Sequence, residues 1–349
     1  MNTEQTAFIG VDAGGTKTAA LLATADGTVI ARKLSGPANY QSIGREGAKS
    51  SLRAAIAPLL AEAAQRGLTV VAFGFGVSGL DRPQDREAIR EQVQPLVPDD
   101  VPFVLVNDTF CILRAGTPDG VGVAVVSGTG PNTVAWDATG REARIGGLGQ
   151  EFGDYGGGSD IAATALAAAR RGHDGRGPAT ALYDHLVEHL EVDDLVDIAD
   201  WFFPDSPRAF HQASLAPLVF DVAARGDEVA LGILRNAGQE LGLCARLTAE
   251  KLFQSDEELH LVMGGSLLQR GRIPVMREAI VAAVSARFPH TMPVVLGVEP
   301  VCGGVLLAMD RHLGLRGENG RMRPGAALRP WPEAEVVARL SMAEEGDKQ

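Results

Sequence analysis

Asp12-Ala13-Gly14-Gly15-Thr16-Lys17-Thr18 directly follows an apolar run over residues 7–11, and Ser127-Gly128-Thr129-Gly130 directly follows another over residues 121–126. In both places a buried-strand pattern breaks into Gly and Thr. Backbone N–H groups and hydroxyls are then left facing whatever lies beyond the strand end, a nest of donors suited to a polyphosphate. One Gly-rich turn would mean little. Two such loops, the first with a carboxylate at its strand end, predict a nucleotide held between two lobes. A third group stands in Asn107-Asp108-Thr109, again just past an apolar run. Asp108 there can serve as a general base projecting into a cleft or as a helix N-cap, and the residues alone leave both open. The chemistry this set would support is phosphoryl transfer, in which positioning and charge neutralisation supply most of the catalysis.

The elements that must position these groups come in two similar runs. Strands are expected at residues 7–11, 18–24 and 28–34, the last two joined by the hairpin signal Asp26-Gly27. A helix over 46–66, a strand over 70–77 ending in Ser78-Gly79-Leu80-Asp81, a polar helix over 84–93 and a strand over 102–106 follow. The plan restarts with strands at 120–126 and 132–137, then a glycine-dense segment from Gly146 to Ser159. Helices are expected at 160–171, 179–190, 210–224 and 227–252, and strands at 259–263 and 293–296. The stretch 301–309, with Cys302-Gly303-Gly304, reads as a helix with a glycine face for close approach. Repetition of one strand plan implies an internal duplication with a cleft between mixed sheets flanked by helices. Beyond Gly314 the chain is rich in Arg, Gly, Pro and Glu and is expected to lie on the surface or be disordered.

Composition narrows the class. A chain of 349 residues has room for two domains, and 45% hydrophobic with 22% charged residues is ordinary for a globular protein. A net charge of -12 argues against a nucleic-acid partner, which would need a basic patch. Cys111, Cys244 and Cys302 fit no disulfide or metal-finger spacing. The N-terminus lacks the regions of a signal peptide, and no apolar run approaches the ~18 residues of a membrane span. These features predict a cytoplasmic protein with neither membrane nor nucleic-acid partner. His185 and His189, four apart on an expected helix, lack a third ligand and read as structural.

The ordered motifs, Asp12 to Thr18, Asn107-Asp108, Ser127 to Gly130, Gly153-Asp154 and Met263-Gly264-Gly265-Ser266, resemble the actin-like ATPase and sugar-kinase superfamily over residues 7–312. Within it, the chain is similar to the BadF/BadG/BcrA/BcrD-type ATPases, which include N-acetylglucosamine kinase. The resemblance implies an α/β fold of two actin-like (ribonuclease H-like) domains, residues 1–117 and 118–312, with a helical insertion in the second, an interdomain cleft and a tail over 313–349. It implies MgATP, with Asp12 holding Mg²⁺ through water. Gly14, Gly15, Thr16 and, more weakly, Lys17 would face the phosphates from the first loop, and Gly128, Thr129 and Gly130 from the second. Ala213, Gly264, Gly265 and Ser266 would lie at the nucleoside end. Asn39, Asn132, Gly147 and Asp154 would contact a sugar, with Asp108 the base. For Asn39 a plain loop turn stays open, as does a strand-to-helix turn for Gly264-Gly265.

The implied activity is phosphorylation of an amino sugar, N-acetylglucosamine at its 6-hydroxyl first, with glucosamine or another sugar as alternatives, in a homodimer. Departures from the familiar kinases gather on the sugar side. Their Gly-Trp-Gly is Gly147-Leu148-Gly149 here, their Asp-Glu-Gly-Ser is Asp154-Tyr155-Gly156-Gly157-Gly158-Ser159, and Pro131 replaces a usual Ser and removes a backbone donor. Two other classes remain: an ATPase activator with a shared iron–sulfur cluster, which needs cysteine ligands beyond Cys111, and a silent sugar sensor.

Overall fold

The computed structural model describes residues 5–202, 212–323, 326, 336 and 338–340. Two five-stranded sheets repeat one topology. In the first, β1 (Thr6–Ala13), β2 (Thr18–Thr24), β3 (Val29–Ser35), β4 (Thr69–Val77) and β5 (Phe103–Val106) lie in the order β3-β2-β1-β4-β5. In the second, β6 (Gly122–Ser127), β7 (Pro131–Trp136), β8 (Glu142–Gly146), β9 (Leu259–Gly264) and β10 (Thr291–Val295) lie in the order β10-β9-β6-β7-β8, the same arrangement read from the other edge. The meander strands pair antiparallel and the later ones parallel in both. The duplication expected from the sequence is therefore present, and β1 and β6 occupy equivalent central places.

Alternation explains the layers. Ala7, Ile9, Val11 and Ala13 of β1 face a core shared with α1 (Tyr40–Gln65), while Phe8 faces α10 (Pro300–His312) on the other side. The α10 backbone lies against the sheet: a Cβ on Gly10 or Gly74 would overlap the Gly304–Val305 backbone. Gly303 is just as tight against Cys111 of α3 (Thr109–Gly116). The expected glycine face is thus real. It also means that the helix following the second half of the chain packs on the first sheet.

The helical layer of the second sheet comprises α4 (Gly158–His173), α5 (Leu182–Leu190), α6 (Ala216–Ala223), α7 (Glu228–Glu250) and α9 (Val275–Ser285), with α8 (Ser266–Arg270) a short turn after β9. Sequence reasoning missed β8, α8 and α9. Of the helix expected over 210–224, residues 210 and 211 lie outside the described residues, 212–215 form a 3₁₀ turn and α6 begins at Ala216. The helix expected from 46 begins at Tyr40, because Asn39 Oδ1 caps it by accepting from Gln41 N at 3.0 Å, and it breaks at Gly44 (φ 74°).

A fourth apolar cluster joins the lobes, with Val104, Val106 and Phe110 from the first against Ala124, Val134, Trp136 and Val262 from the second. Beside it, Asp310 accepts from Arg114 Nε at 2.8 Å and Nη2 at 3.1 Å and from Arg316 Nε at 2.9 Å. Arg316 also lies over the Trp136 ring at 4.4 Å. Arg114 and Arg316 are each only 1% exposed, so this opening stretch of the expected tail is an anchor at the lobe junction.

Candidate active site

The first loop turns tightly, Gly14 N donating to Lys17 O at 2.9 Å, and Ala38 N donates to Gly14 O at 3.1 Å. Gly15, Thr16 and Lys17 are exposed, and nothing lies within 4 Å of a Cβ placed on Gly15. In the second lobe Gly128 N donates to Gly130 O at 3.2 Å, while Thr129 and Gly130 are exposed. Behind this loop stands the N-terminus of α4. Gly158 N donates to Gly128 O at 2.8 Å and Ser159 N to Thr129 O at 3.1 Å. A Cβ on Gly157 would come within 2.6 Å of Gly130 Cα, so glycine is required where the helix end meets the loop. Asp160 takes the Gly156 and Gly157 N–H groups at 2.9 and 2.7 Å, closing a capping arrangement. The Gly156-Gly157-Gly158 departure thus has a packing cause. Ala213 sits beside the same point, 3.2 Å from a Cβ placed on Gly158.

Asp12 ends β1 beside the first loop. Burial, then the charge of Asp108, push its carboxyl up to about 8, with Lys17 opposing and Glu299 adding to the rise. Asp108 begins α3, and burial followed by the charge of Asp81 raises it to about 6, against the pull of Arg144 and the Thr109 N–H. Burial first, then Asp12 and Asp108, hold the Cys111 thiol well above its ordinary range. Mutually opposed carboxylates with Lys17 as counter-charge fit a site that receives a cation. Among the described residues no three His, Cys, Asp or Glu side chains form a metal site by themselves. A Mg²⁺ held at Asp12 would therefore be completed by phosphate oxygens and water. Glu299 is itself held by Arg32 Nη2 at 2.6 and 2.8 Å.

The open alternatives at Asn107-Asp108 resolve into a shared cap. Thr109 N donates to Asn107 Oδ1 at 3.0 Å and to Asp108 Oδ1 at 3.1 Å. One oxygen of Asp108 stays uncommitted by these bonds. Asn107 also receives Asn132 Nδ2 from the other lobe at 3.1 Å. Asp154 is buried and accepts Leu148 N at 2.6 Å and Gly149 N at 2.8 Å, shaping the Gly147–Gly149 turn. Asn39 caps α1 and its amide reaches Ser78 Oγ at 3.4 Å, next to the end of β4. Both Asn39 and Asp154 thus have local structural duties at the cleft wall.

Gly264 and Gly265 form the strand-to-helix turn after β9. A Cβ on Gly264 would come within 2.6 Å of Ile112, and one on Gly265 (φ 87°) would overlap Ser127. Close packing of the protein on itself therefore already accounts for both glycines, and Ser266 opens α8. Two further residues were given no role from the sequence. Arg144 on β8 forms an ion pair with Asp81 across the cleft and donates to Leu80 O at 2.9 Å. Neither lies in one of the two phosphate loops. The only sequence signal was the position of Asp81 at a strand end, in Ser78-Gly79-Leu80-Asp81.

Duplicated sheets, phosphate-type loops at equivalent strand ends and a carboxylate-lined cleft define a two-lobed actin-like ATPase of the sugar-kinase kind. The BadF/BadG/BcrA/BcrD ATPase family profile matches residues 9–308, and the chain belongs to that family. It is 28% identical over 314 residues to the N-acetyl-D-glucosamine kinase of Dictyostelium discoideum, covering 87% of this chain and 98% of that one. It is also 28% identical over 300 residues to the N-acetylmuramic acid/N-acetylglucosamine kinase of Clostridium acetobutylicum, covering 86% and 97%. Among solved structures, a Chromobacterium violaceum protein proposed to be an N-acetylglucosamine kinase superposes with a TM-score of 0.65 at 25% identity, covering 86% and 98%. No helix among the described residues is long and apolar enough to cross a membrane.

Proposed function

We propose that this protein is an ATP-dependent sugar kinase that transfers the γ-phosphate of MgATP to a hydroxyl of an amino sugar, N-acetylglucosamine at its 6-position. The observation that carries the reading is the placement of Asp108. Its carboxylate is recessed within electrostatic reach of Asp12 at the first phosphate loop, and its neighbour Asn107 is bonded to Asn132 of the opposite lobe. Kinase names among relatives aligned over almost their whole length support the same reading.

In this mechanism the turn closed by Gly14 presents the exposed Gly15 and Thr16 to phosphate oxygens from one side, and the turn closed by Gly128 presents Thr129 and Gly130 from the other, with Lys17 adding charge. Asn39, Asn132, Gly147 and Asp154 line the acceptor side, and Ala213 and Gly264-Gly265-Ser266 flank the nucleoside. Asp108, raised to about 6, is mostly ionised at neutral pH and takes the proton of the attacking hydroxyl. Mg²⁺ at Asp12 would neutralise phosphate charge. The two lobes close on the substrates and exclude water. A cytoplasmic homodimer completes the proposal, and light scattering on the purified chain tests the stoichiometry.

A different acceptor sugar is the second reading, favoured by Leu148 and Tyr155, which are 50% and 43% exposed on either side of Asp154. The test is ADP release from MgATP across N-acetylglucosamine, glucosamine, N-acetylmannosamine, N-acetylmuramic acid, glucose and polyols, with Asp108→Asn in parallel. Sugar-stimulated turnover that disappears in the variant supports the kinase and names its acceptor. Hydrolysis indifferent to every sugar, or no turnover at all, overturns it.

A further inference from the structure

Four polar side chains form one chain that crosses between the lobes twice. Arg144 of β8 pairs with Asp81 in the loop after β4. Asp81 Oδ1 accepts from Asn107 Nδ2 at 3.1 Å. Asn107 Oδ1 then accepts from Asn132 Nδ2 at 3.1 Å, returning to β7, the strand beside β8. Both ends meet at Gly147. Arg144 Nε donates to Gly146 O at 3.3 Å, and a Cβ on Gly147 (φ 87°) would overlap Arg144 Nη2 and approach Asn132 Oδ1 to 3.0 Å. Of the acceptor residues assigned above, Asn132 is therefore held by Asn107, and the turn at Gly147 is packed against Arg144.

The first-lobe end of this chain is rigidly set. Asp85, fully buried, accepts from Asp81 N at 3.3 Å and Arg82 N at 2.7 Å, and Tyr40 OH donates to it at 2.6 Å. The loop bearing Asp81 is thereby fastened to α1. Against the bridge lies a cavity of about 440 Å³ lined by Asp81, Asn107 and Arg144 together with Arg86, Glu142 and Arg321. Contact between the lobes at this edge is consequently polar, with open space behind it. Phe110, which also lines this cavity, stacks on Trp136 and supplies the apolar packing that holds the lobe junction beside it. Breaking the ion pair should release this edge of the cleft and leave the apolar lobe junction intact.

We infer that Asp81 and Arg144 are positioning residues that latch the two lobes on the acceptor side and hold Asn132 and Gly147 in register with Asp108. The inference rests on the sugar-kinase reading for its kinetic consequence and on geometry alone for its structural one. The decisive experiment compares the wild type with Asp81→Asn, Arg144→Gln and the double variant, using N-acetylglucosamine and MgATP, alongside hydrogen exchange of peptides spanning residues 130–136 and 144–150. Loss of a charge-assisted bond should raise the sugar KM about tenfold to a hundredfold, with the ATP KM within about threefold. The double variant should be no worse than the worse single one, since both remove one interaction. Exchange in the two peptides should quicken at least about tenfold, and peptides of α10 should stay unchanged.

Equal rises in both KM values, additive effects of the two substitutions, or unchanged exchange would overturn the latch. A wild type without sugar-stimulated turnover would instead defeat the kinase reading, and the exchange data would still decide whether the latch exists.

Discussion

Asp108 supplies the sharpest quantitative test of the site. Burial and the neighbouring Asp81 raise its carboxyl to about 6 in the protein without substrates. A general base must be ionised, so the rate should fall on the acid side. With a pKa of about 6, roughly a tenth of the enzyme is active at pH 5, half at pH 6 and nine-tenths at pH 7. The profile of kcat/KM for the sugar should therefore climb about tenfold from pH 5 to a plateau above pH 7. Asp108→Asn removes the base without altering size, and should cost about 10²–10⁴ in kcat with the fold unchanged by circular dichroism. The γ-phosphate of ATP also titrates, but its pKa does not depend on residue 81. In Asp81→Asn the negative neighbour is gone and Arg144 is freed to act on Asp108, so the acid limb of the kcat/KM profile should move to lower pH. An assay coupled to ADP release over pH 4.5–8.5 measures all of this. A flat profile between pH 5 and 7, or Asp108→Asn retaining more than about a tenth of wild-type kcat, would refute the assignment of the base.

Other perturbations address the metal, the hinge and the packing. Asp12, raised to about 8 without a cation, is mostly protonated at pH 7, so Mg²⁺ binding should release a proton and tighten as pH rises towards 8; calorimetry in buffers of different ionisation enthalpy reads this directly. The same shift makes the metal-free fold lose stability as pH rises from about 4 to 8, because the native state holds a proton that the unfolded state has released, and Mg²⁺ should lessen the loss. Asp310→Ala leaves Arg114 and Arg316, each 1% exposed, without their shared carboxylate; urea unfolding should show a loss of about 3–5 kcal/mol, and a loss below about 1 kcal/mol would contradict the buried network. Gly74→Ala drives a methyl into the Gly304 carbonyl of α10 and should destabilise the first lobe by at least about 1–3 kcal/mol, measured the same way.

Legibility in the sequence followed the range of the physics involved. Phosphate loops, the Asn107-Asp108 strand end and the Gly303-Gly304 helix face are local patterns, each written in a few consecutive residues whose types dictate backbone freedom or donor supply. The duplicated strand plan was legible for the same reason, since short, continuously buried apolar runs that break into Gly and Thr recur in both halves. Short elements such as β8 and α8, at five residues each, carry too little period to register. The three glycines Gly156 to Gly158 read as a departure from the family pattern, and only the approach of the α4 N-terminus to Gly130 gave them a cause.

What the sequence determined by itself was the class of chemistry, because donors and carboxylates at strand ends are chosen locally by residue type. What tertiary structure alone decided was how those groups are held and tuned. Asp81 and Arg144 are 63 residues apart and carry no motif, yet they face each other across the cleft. Arg114 and Asp310, 196 apart, meet only because α10 returns to the first sheet. Charge pairing and desolvation depend on distance in space, and that distance is fixed only when both sheets have formed and packed.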